Sequence, residues 1–180
     1  MTFSLQPSLA NEKVRLEPLL PSDFDALYAV ASDPELWKQH PNQNRWQKPV
    51  FENFFKGAIE SKGAFKIIDS QTGDVIGSTR LYDYNAKQNS ILIGYTFFAK
   101  NRWGKGYNHA TKTLMLDYLF EHISRVDFHI GAQNFRSQSS IEKLGAKKID
   151  ELEVAYYGEA PKLNFVYRIL RNDWLKWREN

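Results

Sequence analysis

A glycine-rich turn contains the residues of this sequence that are best placed to bind a ligand. It runs from Trp103 to Asn108, between the apolar segment ILIGYTFFA and the helix-forming segment HATKTLMLDYLFEH. A turn at a helix start presents unpaired backbone N–H groups and the positive end of the helix dipole, which together favour bound phosphate. The residues after Gly104-Lys105-Gly106 match neither GxxxxGK[ST] nor GxGxxG. We therefore expect a phosphorylated ligand outside those two classes.

A second candidate motif follows the β-like segment that ends at Ala132. It reads NFRSQSSIEKLGA from Asn134 onward and includes Ser137. Asn134 has the side chain to hold a strand-to-helix turn, and Ser137 has the hydroxyl to cap a helix. The same hydroxyl can donate a proton to a reacting group. From the residues alone, both the structural and the chemical interpretation stay open.

The hydrophobic pattern predicts the elements that position these two motifs. Seven strands are predicted, at Lys13–Glu17, Ala64–Asp69, Val75–Tyr82, Ser90–Phe98, Arg125–Ile130, Lys147–Tyr156 and Asn164–Leu170. Helices are predicted from Pro21 to Asp33, from Phe51 to Glu60, from the glycine turn to His122, and from Ser137 to Leu144. The strand, turn, helix and strand around the glycine turn form a crossover unit, so its two strands should be parallel. Trp174 and Trp177 fall in a tail with no predicted element.

Composition limits the function classes. The 180 residues are 42% hydrophobic, which predicts one domain over residues 1–180. The net charge of +3 suits an anionic cofactor but is too small to indicate nucleic acid. There are no cysteines, which excludes disulfides and a thiol nucleophile, and the four histidines lack the spacing of a metal site. With no leader-like or membrane-spanning pattern, we expect a cytoplasmic protein with no membrane partner.

Taken together, the two motifs resemble the cofactor motifs of the GNAT superfamily of N-acetyltransferases. The run NFRSQSSIEKLGA, the early VRLEPL and the late YRILRNDW are most similar to the branch that includes the RimJ and RimL ribosomal-protein acetyltransferases. The resemblance spans roughly Val14 to Trp174. It implies an α/β (α+β) fold with flanking helices and a mixed, mostly antiparallel sheet of about seven strands. The central parallel strands of that sheet would splay apart around the pantetheine arm of acetyl-coenzyme A.

The resemblance also implies a reaction and a set of site residues. The acetyl group would pass directly from acetyl-coenzyme A to a primary amine, either a small molecule or a protein N-terminus, and a homodimer is one alternative for the assembly. Ser137 would protonate the departing thiolate. The implied cofactor-binding residues are Phe97, Phe98, Trp103, Gly104, Lys105, Gly106, Tyr107, Asn108, Asn134, Arg136 and Ser137. Those proposed for the acceptor are Trp37, Arg80 and Tyr82, with core packing or a surface charge as the alternatives.

The sequence departs from the family pattern at three positions. Asn101 stands where relatives carry Gln or Arg, Asn108 where they often carry a small residue, and Ile141 where many carry a tyrosine that acts as general acid. The missing tyrosine and the lack of an assigned general base leave open a catalytically weak module that senses acyl-coenzyme A, and a basic nucleic-acid-binding protein is a third alternative.

No general base emerges from the pattern. The position that matches the glutamate of RimL-type enzymes falls at about Tyr156, with Glu153 and Glu159 nearby but out of register. A pocket water, or Asp83 or Glu153 acting through a water, is an alternative. The sequence therefore leaves the base unassigned.

Overall fold

The computed structural model describes residues 3–155 and 160–179. Its strands are β1 (Leu9–Ala10), β2 (Val14–Pro18), β3 (Ala64–Asp69), β4 (Val75–Asn85), β5 (Ser90–Phe98), β6 (Arg125–Gly131), β7 (Lys147–Val154) and β8 (Lys162–Leu170). Its α-helices are α1 (Phe24–Ala31), α2 (Lys48–Glu60), α3 (Tyr107–Phe120), α4 (Phe135–Glu142) and α5 (Arg171–Arg178). Short 3-10 turns cover Pro21–Asp23, Pro34–Trp37 and Lys100–Arg102.

The strands form one mixed sheet in the order β1-β2-β3-β4-β5-β6-β8-β7. All neighbours are antiparallel except β5 and β6, which are parallel. The predicted parallel crossover is therefore confirmed, since α3 connects these two strands. The sheet has eight strands rather than about seven, because β1 adds a two-residue edge strand that is too short to leave a periodic pattern in the sequence.

Strands β5 and β6 separate soon after they pair. Their ladder covers only Ser90–Leu92 of β5, although β5 continues to Phe98. Against β4, Gly94 pairs with Arg80 and Phe97 pairs with Ser78, so β5 carries one extra residue between these pairs. Tyr95 lies in this bulge with a left-handed φ of 53°. Bulges of this kind bend a strand and increase its twist, which opens the gap beside β6.

Two apolar layers hold the sheet from opposite faces. One layer packs α3, α4 and α5 on the sheet through Met115, Leu116, Ile141 and Trp174. The other layer packs α1 and α2 on the sheet through Leu27, Phe51 and Phe54, together with Trp37 and Phe97. Phe97 and Phe98 point to opposite layers, as neighbours in a strand do. The gap between β5 and β6 therefore has a packed layer on each side.

The C-terminal tail is the clearest error of the sequence interpretation, because it forms α5. The indole of Trp174 donates a hydrogen bond to Asp117 of α3 at 2.9 Å, and the ring stacks on Trp177 at 4.8 Å between centroids. The hydrogen bond to Asp117 and the burial of Trp174 anchor this short helix. The predicted strand from Lys147 is seen as far as Val154, while Tyr156 and Glu159 lie outside the described residues. No helix among the described residues is long and apolar enough to cross a membrane.

Candidate cofactor and acceptor site

A cavity of about 690 Å³ opens where β5 and β6 separate. Its walls come from β5, β6, the glycine turn, the first residues of α3 and α4, and the segment Leu36–Arg45. Most of the residues predicted for the cofactor line it, namely Phe97, Phe98, Trp103, Gly104, Gly106, Tyr107, Asn108, Asn134, Arg136 and Ser137. Two motifs that are distant in sequence are therefore brought to one cavity. Lys105 is exposed and does not lie in its wall.

The glycine turn is shaped by two left-handed residues. Gly104 has φ +71° and Gly106 has φ +79°, values that residues with a Cβ atom adopt only with strain. Gly106 is the N-cap of α3, and the first intrahelical bond runs from Ala110 N–H to its carbonyl. Within the described residues, the backbone N–H groups of Gly104, Lys105 and Gly106 have no hydrogen-bond acceptor. The turn thus presents free donors at the positive end of a 14-residue helix.

Trp103 and Arg136 close one side of the cavity. The Trp103 indole donates to the carbonyl oxygen of Phe98 at 3.0 Å. The Arg136 guanidinium lies 3.8 Å from the centroid of the Trp103 ring and donates to the carbonyl oxygen of Leu36 at 3.2 Å. Arg136 therefore joins α4 to the glycine turn and to the segment before α2. Because the Trp103 indole donates to it, the Phe98 carbonyl already has a hydrogen-bond partner within the protein.

Helix α4 begins at the wall of the cavity. Asn134 is its N-cap, with a side-chain oxygen that accepts a hydrogen bond from Ser137 N–H at 3.3 Å. Ser137 is therefore not the cap, and its hydroxyl is not used to start the helix. This half-buried hydroxyl faces the cavity and has no hydrogen-bond partner among the described residues. The role of Ser137 as a proton donor remains a prediction. Its hydroxyl is available for that role.

Asn108 joins α3 to α4 beneath the cavity. Its amide nitrogen donates to the Ser140 hydroxyl, while its amide oxygen is buried with no partner among the described residues. An unsatisfied buried oxygen is unfavourable unless a ligand or water donates to it. Ile141, which replaces the family tyrosine, is 3% exposed and belongs to the apolar core beside the cavity. The Ile141 side chain contributes to the shape of the cavity and has no proton to donate to a leaving group.

The three residues proposed for the acceptor occupy different environments. Trp37 lines the cavity, is 2% exposed and donates from its indole to the Ala31 carbonyl at 2.8 Å. Arg80 and Tyr82 lie outside the cavity wall. Tyr82 packs edge-on against Tyr95, with ring centroids 5.1 Å apart. Trp37 therefore lies at the cavity as predicted, whereas Arg80 and Tyr82 pack behind Tyr95, which lines the cavity.

Arg80 is a buried structural residue rather than the surface charge that the sequence left as an alternative. Its guanidinium is 4.0 Å from the Tyr95 ring centroid and donates to the Gly57 carbonyl of α2 at 3.2 Å. Burial lowers the pKa of Arg80 to about 10. The Arg80 side chain therefore connects the β5 bulge to α2. Its position in a predicted strand could not reveal this contact.

A buried lysine is the most unusual group that the sequence interpretation missed. Lys112 of α3 is 3% exposed and lines the cavity. Burial alone lowers the pKa of Lys112 to about 7, from an ordinary value of 10.5. Its only sequence signal was a lysine on the apolar side of a predicted helix, a position where lysine is rare unless paired.

The cavity wall is cationic. It includes the side chains of Arg45, Arg102, Arg136 and Lys143, and no Asp or Glu of the described residues lines it. Arg102 is itself paired, at 3.3 Å, with the buried carboxylate of Asp69. In residues 3–155 and 160–179, no three His, Asp or Glu side chains come together as a metal site requires. The wall is therefore suited to an anionic ligand.

Comparison with known proteins identifies the class to which this fold and cavity belong. A family profile described as an acetyltransferase (GNAT) domain matches residues 13–147, which is most of the chain. The chain belongs to the GNAT acetyltransferase family. No curated protein matches the chain.

Solved structures share the fold at low sequence identity. A GCN5-related N-acetyltransferase from Brucella melitensis aligns with a TM-score of 0.83 at 19% identity, covering 97% of this chain and 83% of the other. A spermidine N-acetyltransferase from Vibrio cholerae, solved with CoA and spermine, aligns at 0.69 and 18% identity, covering 92% and 99%. RimJ from Mycobacterium smegmatis, solved with CoA-disulfide, aligns at 0.69 and 16% identity, covering 89% and 83%. These likenesses support the fold.

Proposed function

We propose that the protein transfers the acetyl group of acetyl-coenzyme A directly to a primary amine. One observation carries the proposal: the free N–H groups of the glycine turn and the open edge of β5 line the same cavity. The turn suits a pyrophosphate, and an open strand edge offers backbone groups to an extended amide-containing arm. Coenzyme A carries both of these chemical features.

The chain's own residues suit each part of this cofactor. The N–H groups from Gly104 to Gly106 would hold the pyrophosphate, and the unsatisfied amide oxygen of Asn108 would accept a hydrogen bond from a ligand amide. Backbone N–H groups of β5 near Phe97 would stabilise the negative charge that develops on the thioester oxygen. Ser137 would give a proton to the departing thiolate. Lys105, being exposed, would contribute only long-range charge.

The charge of the cavity bears on the acceptor. A polyamine keeps two or more positive charges besides the reacting amine, and carboxylates are the usual groups that neutralise such charges in a binding site. The described part of the cavity wall has cationic side chains and no carboxylate. We therefore favour an acceptor whose reacting amine is its main positive charge, such as a protein N-terminus, as in the RimJ and RimL resemblance, or a small amine.

The proposal is tested by mixing the protein with acetyl-coenzyme A and a panel of amines, and measuring free coenzyme A thiol. The panel should include short peptides with free N-termini, amino acids and spermidine. Release of thiol that depends on a peptide or small amine, at a rate above that with spermidine, is the expected result. Binding of acetyl-coenzyme A that raises the melting temperature, without thiol release for any amine, would contradict catalysis.

A further inference from the structure

Lys112 has an environment that does not stabilise a positive charge. Its amine donates to the hydroxyl oxygens of Thr79 and Thr96, which are themselves 2.8 Å apart. No carboxylate of the described residues pairs with Lys112, although ammonium groups buried in proteins are normally paired. A buried amine with only neutral oxygen partners loses its proton more easily than one in water. The structure thus holds a buried primary amine that is partly neutral at physiological pH.

The position of Lys112 places this amine beside the reacting region of the cavity. Its partner Thr96 immediately precedes Phe97 in β5, beyond Leu92, where β5 and β6 stop pairing. Both Lys112 and Thr96 line the cavity. The amine therefore lies next to the strand segment at which the family resemblance puts the acetyl group.

The elements packed around Lys112 present mainly apolar or neutral groups to it. β2 contributes Val14 and Leu16 to the core on this face of the sheet, β6 contributes Phe128, and α4 contributes Ile141. The ionisable side chains that line the cavity besides Lys112 are those of His40, Arg45, Tyr95, Arg102, Tyr107, His109, His129, Arg136 and Lys143. None of these groups contributes to the lowered pKa of Lys112. Lys112 titrates as an isolated buried amine.

We propose that the neutral amine of Lys112 accepts the proton that the ammonium of the acceptor must lose before it attacks the thioester. This inference rests on the proposed acetyl transfer. The transfer runs directly or through the Thr96 hydroxyl, which is hydrogen-bonded to the lysine. The freed amine then forms a bond to the thioester carbon and the carbon–sulfur bond breaks. The Ser137 hydroxyl gives its proton to the thiolate, and the second amine proton restores that hydroxyl. Lys112 returns its own proton to solvent after turnover.

The other groups considered for this role are less suitable. Asp83 and Glu153 are exposed and do not line the cavity. His40 lines it, but its two ring nitrogens lie 2.9 Å from Asn42 N and 3.1 Å from Arg45 Nη1. Burial is the main reason that the pKa of His40 falls well below 6.5, so this imidazole is a weak base. Lys112 combines access to the cavity with a pKa close to the working pH, which is optimal for a proton acceptor.

The test compares pH profiles of kcat/KM for the wild-type protein and Lys112→Met, a variant of similar length that has no amine. In the wild type, kcat/KM for an amine acceptor should rise with pH and level off above about 7, because Lys112 is then neutral. In Lys112→Met, activity at pH 7.5 should fall by about 100-fold or more. The kcat/KM of Lys112→Met should continue to rise until the pH reaches the pKa of the acceptor, because above that pH the acceptor is already a free amine and needs no base.

The controls separate a catalytic role from a structural one. Lys87→Met removes an exposed lysine in the β4–β5 turn and should leave the profile unchanged. Thr96→Val removes a hydrogen-bond acceptor from the Lys112 ammonium, so direct transfer predicts an inflection at lower pH, whereas transfer through the Thr96 hydroxyl predicts loss of the inflection. The rise in melting temperature caused by acetyl-coenzyme A should be the same in Lys112→Met and wild type.

The outcomes also separate this inference from the proposed function. A wild-type protein without amine-dependent thiol release would overturn both. An active wild type whose profile is parallel to that of Lys112→Met at every pH would overturn the role of Lys112 alone. A ratio of wild-type to variant activity that shrinks as pH approaches the acceptor pKa would support it.

Discussion

The buried amine of Lys112 should make the stability of this protein depend on pH in a way that one substitution removes. Burial lowers the pKa of Lys112 from 10.5 to about 7 in the folded protein, whereas the unfolded chain keeps the ordinary value. Between these values the unfolded state binds one more proton than the folded state, so the free energy of unfolding rises with pH. Below pH 7 both states are protonated, and the folded state carries the full penalty of about 5 kcal/mol.

The size of the effect follows from the interval that is measured. Between pH 7 and pH 9 the folded protein has released a proton that the unfolded chain retains, which adds about 2–3 kcal/mol to the stability of the wild type. Lys112→Met has no such group. The stability difference between the variant and the wild type should therefore shift by about 2–3 kcal/mol in favour of the variant from pH 9 to pH 6.

Urea unfolding at pH 6, 7.5 and 9 measures this shift, with equal m-values as the check that the unfolded states are comparable. Lys87→Met is the matched control, because it removes an exposed lysine and should give a curve parallel to that of the wild type. Parallel pH dependences for the wild type and Lys112→Met would refute the assignment of a buried amine with a lowered pKa.

Three further substitutions test other parts of the site. Ser137→Ala should lower kcat by about 100-fold with little change in acetyl-coenzyme A affinity, and equal kinetics would remove Ser137 as proton donor. Gly106→Ala should weaken acetyl-coenzyme A binding and cost about 1–2 kcal/mol of stability, since φ is +79° there; an unaltered Kd by calorimetry would exclude the turn from the cofactor site. Arg80→Ala should lower the free energy of unfolding by about 2–3 kcal/mol, because it opens a void and removes the hydrogen bond to the Gly57 carbonyl; unchanged denaturation would contradict its structural role.

The sequence predicted most of the sheet and the two motifs because each depends on local pattern. Alternating apolar residues gave the bounds of Ala64–Asp69 and Ser90–Phe98 as the structure has them. The predicted glycine turn is confirmed by positive φ at Gly104 and Gly106, values that glycine adopts without the strain of a Cβ. The resemblance to the family likewise rests on short runs of residues that are close together in the chain.

What the sequence could not predict depends on contacts between distant residues. The lowered pKa of Lys112 depends on its burial against β4 and β5, whose Thr79 and Thr96 hydroxyls accept hydrogen bonds from its amine. The burial of Arg80 depends on carbonyls of α2, which lie 23 and 26 residues earlier in the chain. Helix α5 depends on Asp117, 57 residues before Trp174. Each of these features needs the folded sheet before its partner is known.

The most direct test of acetyl transfer is to quantify both products of one reaction by mass spectrometry. Wild-type protein is incubated with acetyl-coenzyme A and the most active acceptor of the amine panel, and free coenzyme A and acetylated amine are measured over time. Direct transfer predicts that the two products appear in equal amounts, at a rate that depends on the acceptor. Coenzyme A that appears without acetylated amine, or the absence of both products while acetyl-coenzyme A still raises the melting temperature, would contradict it.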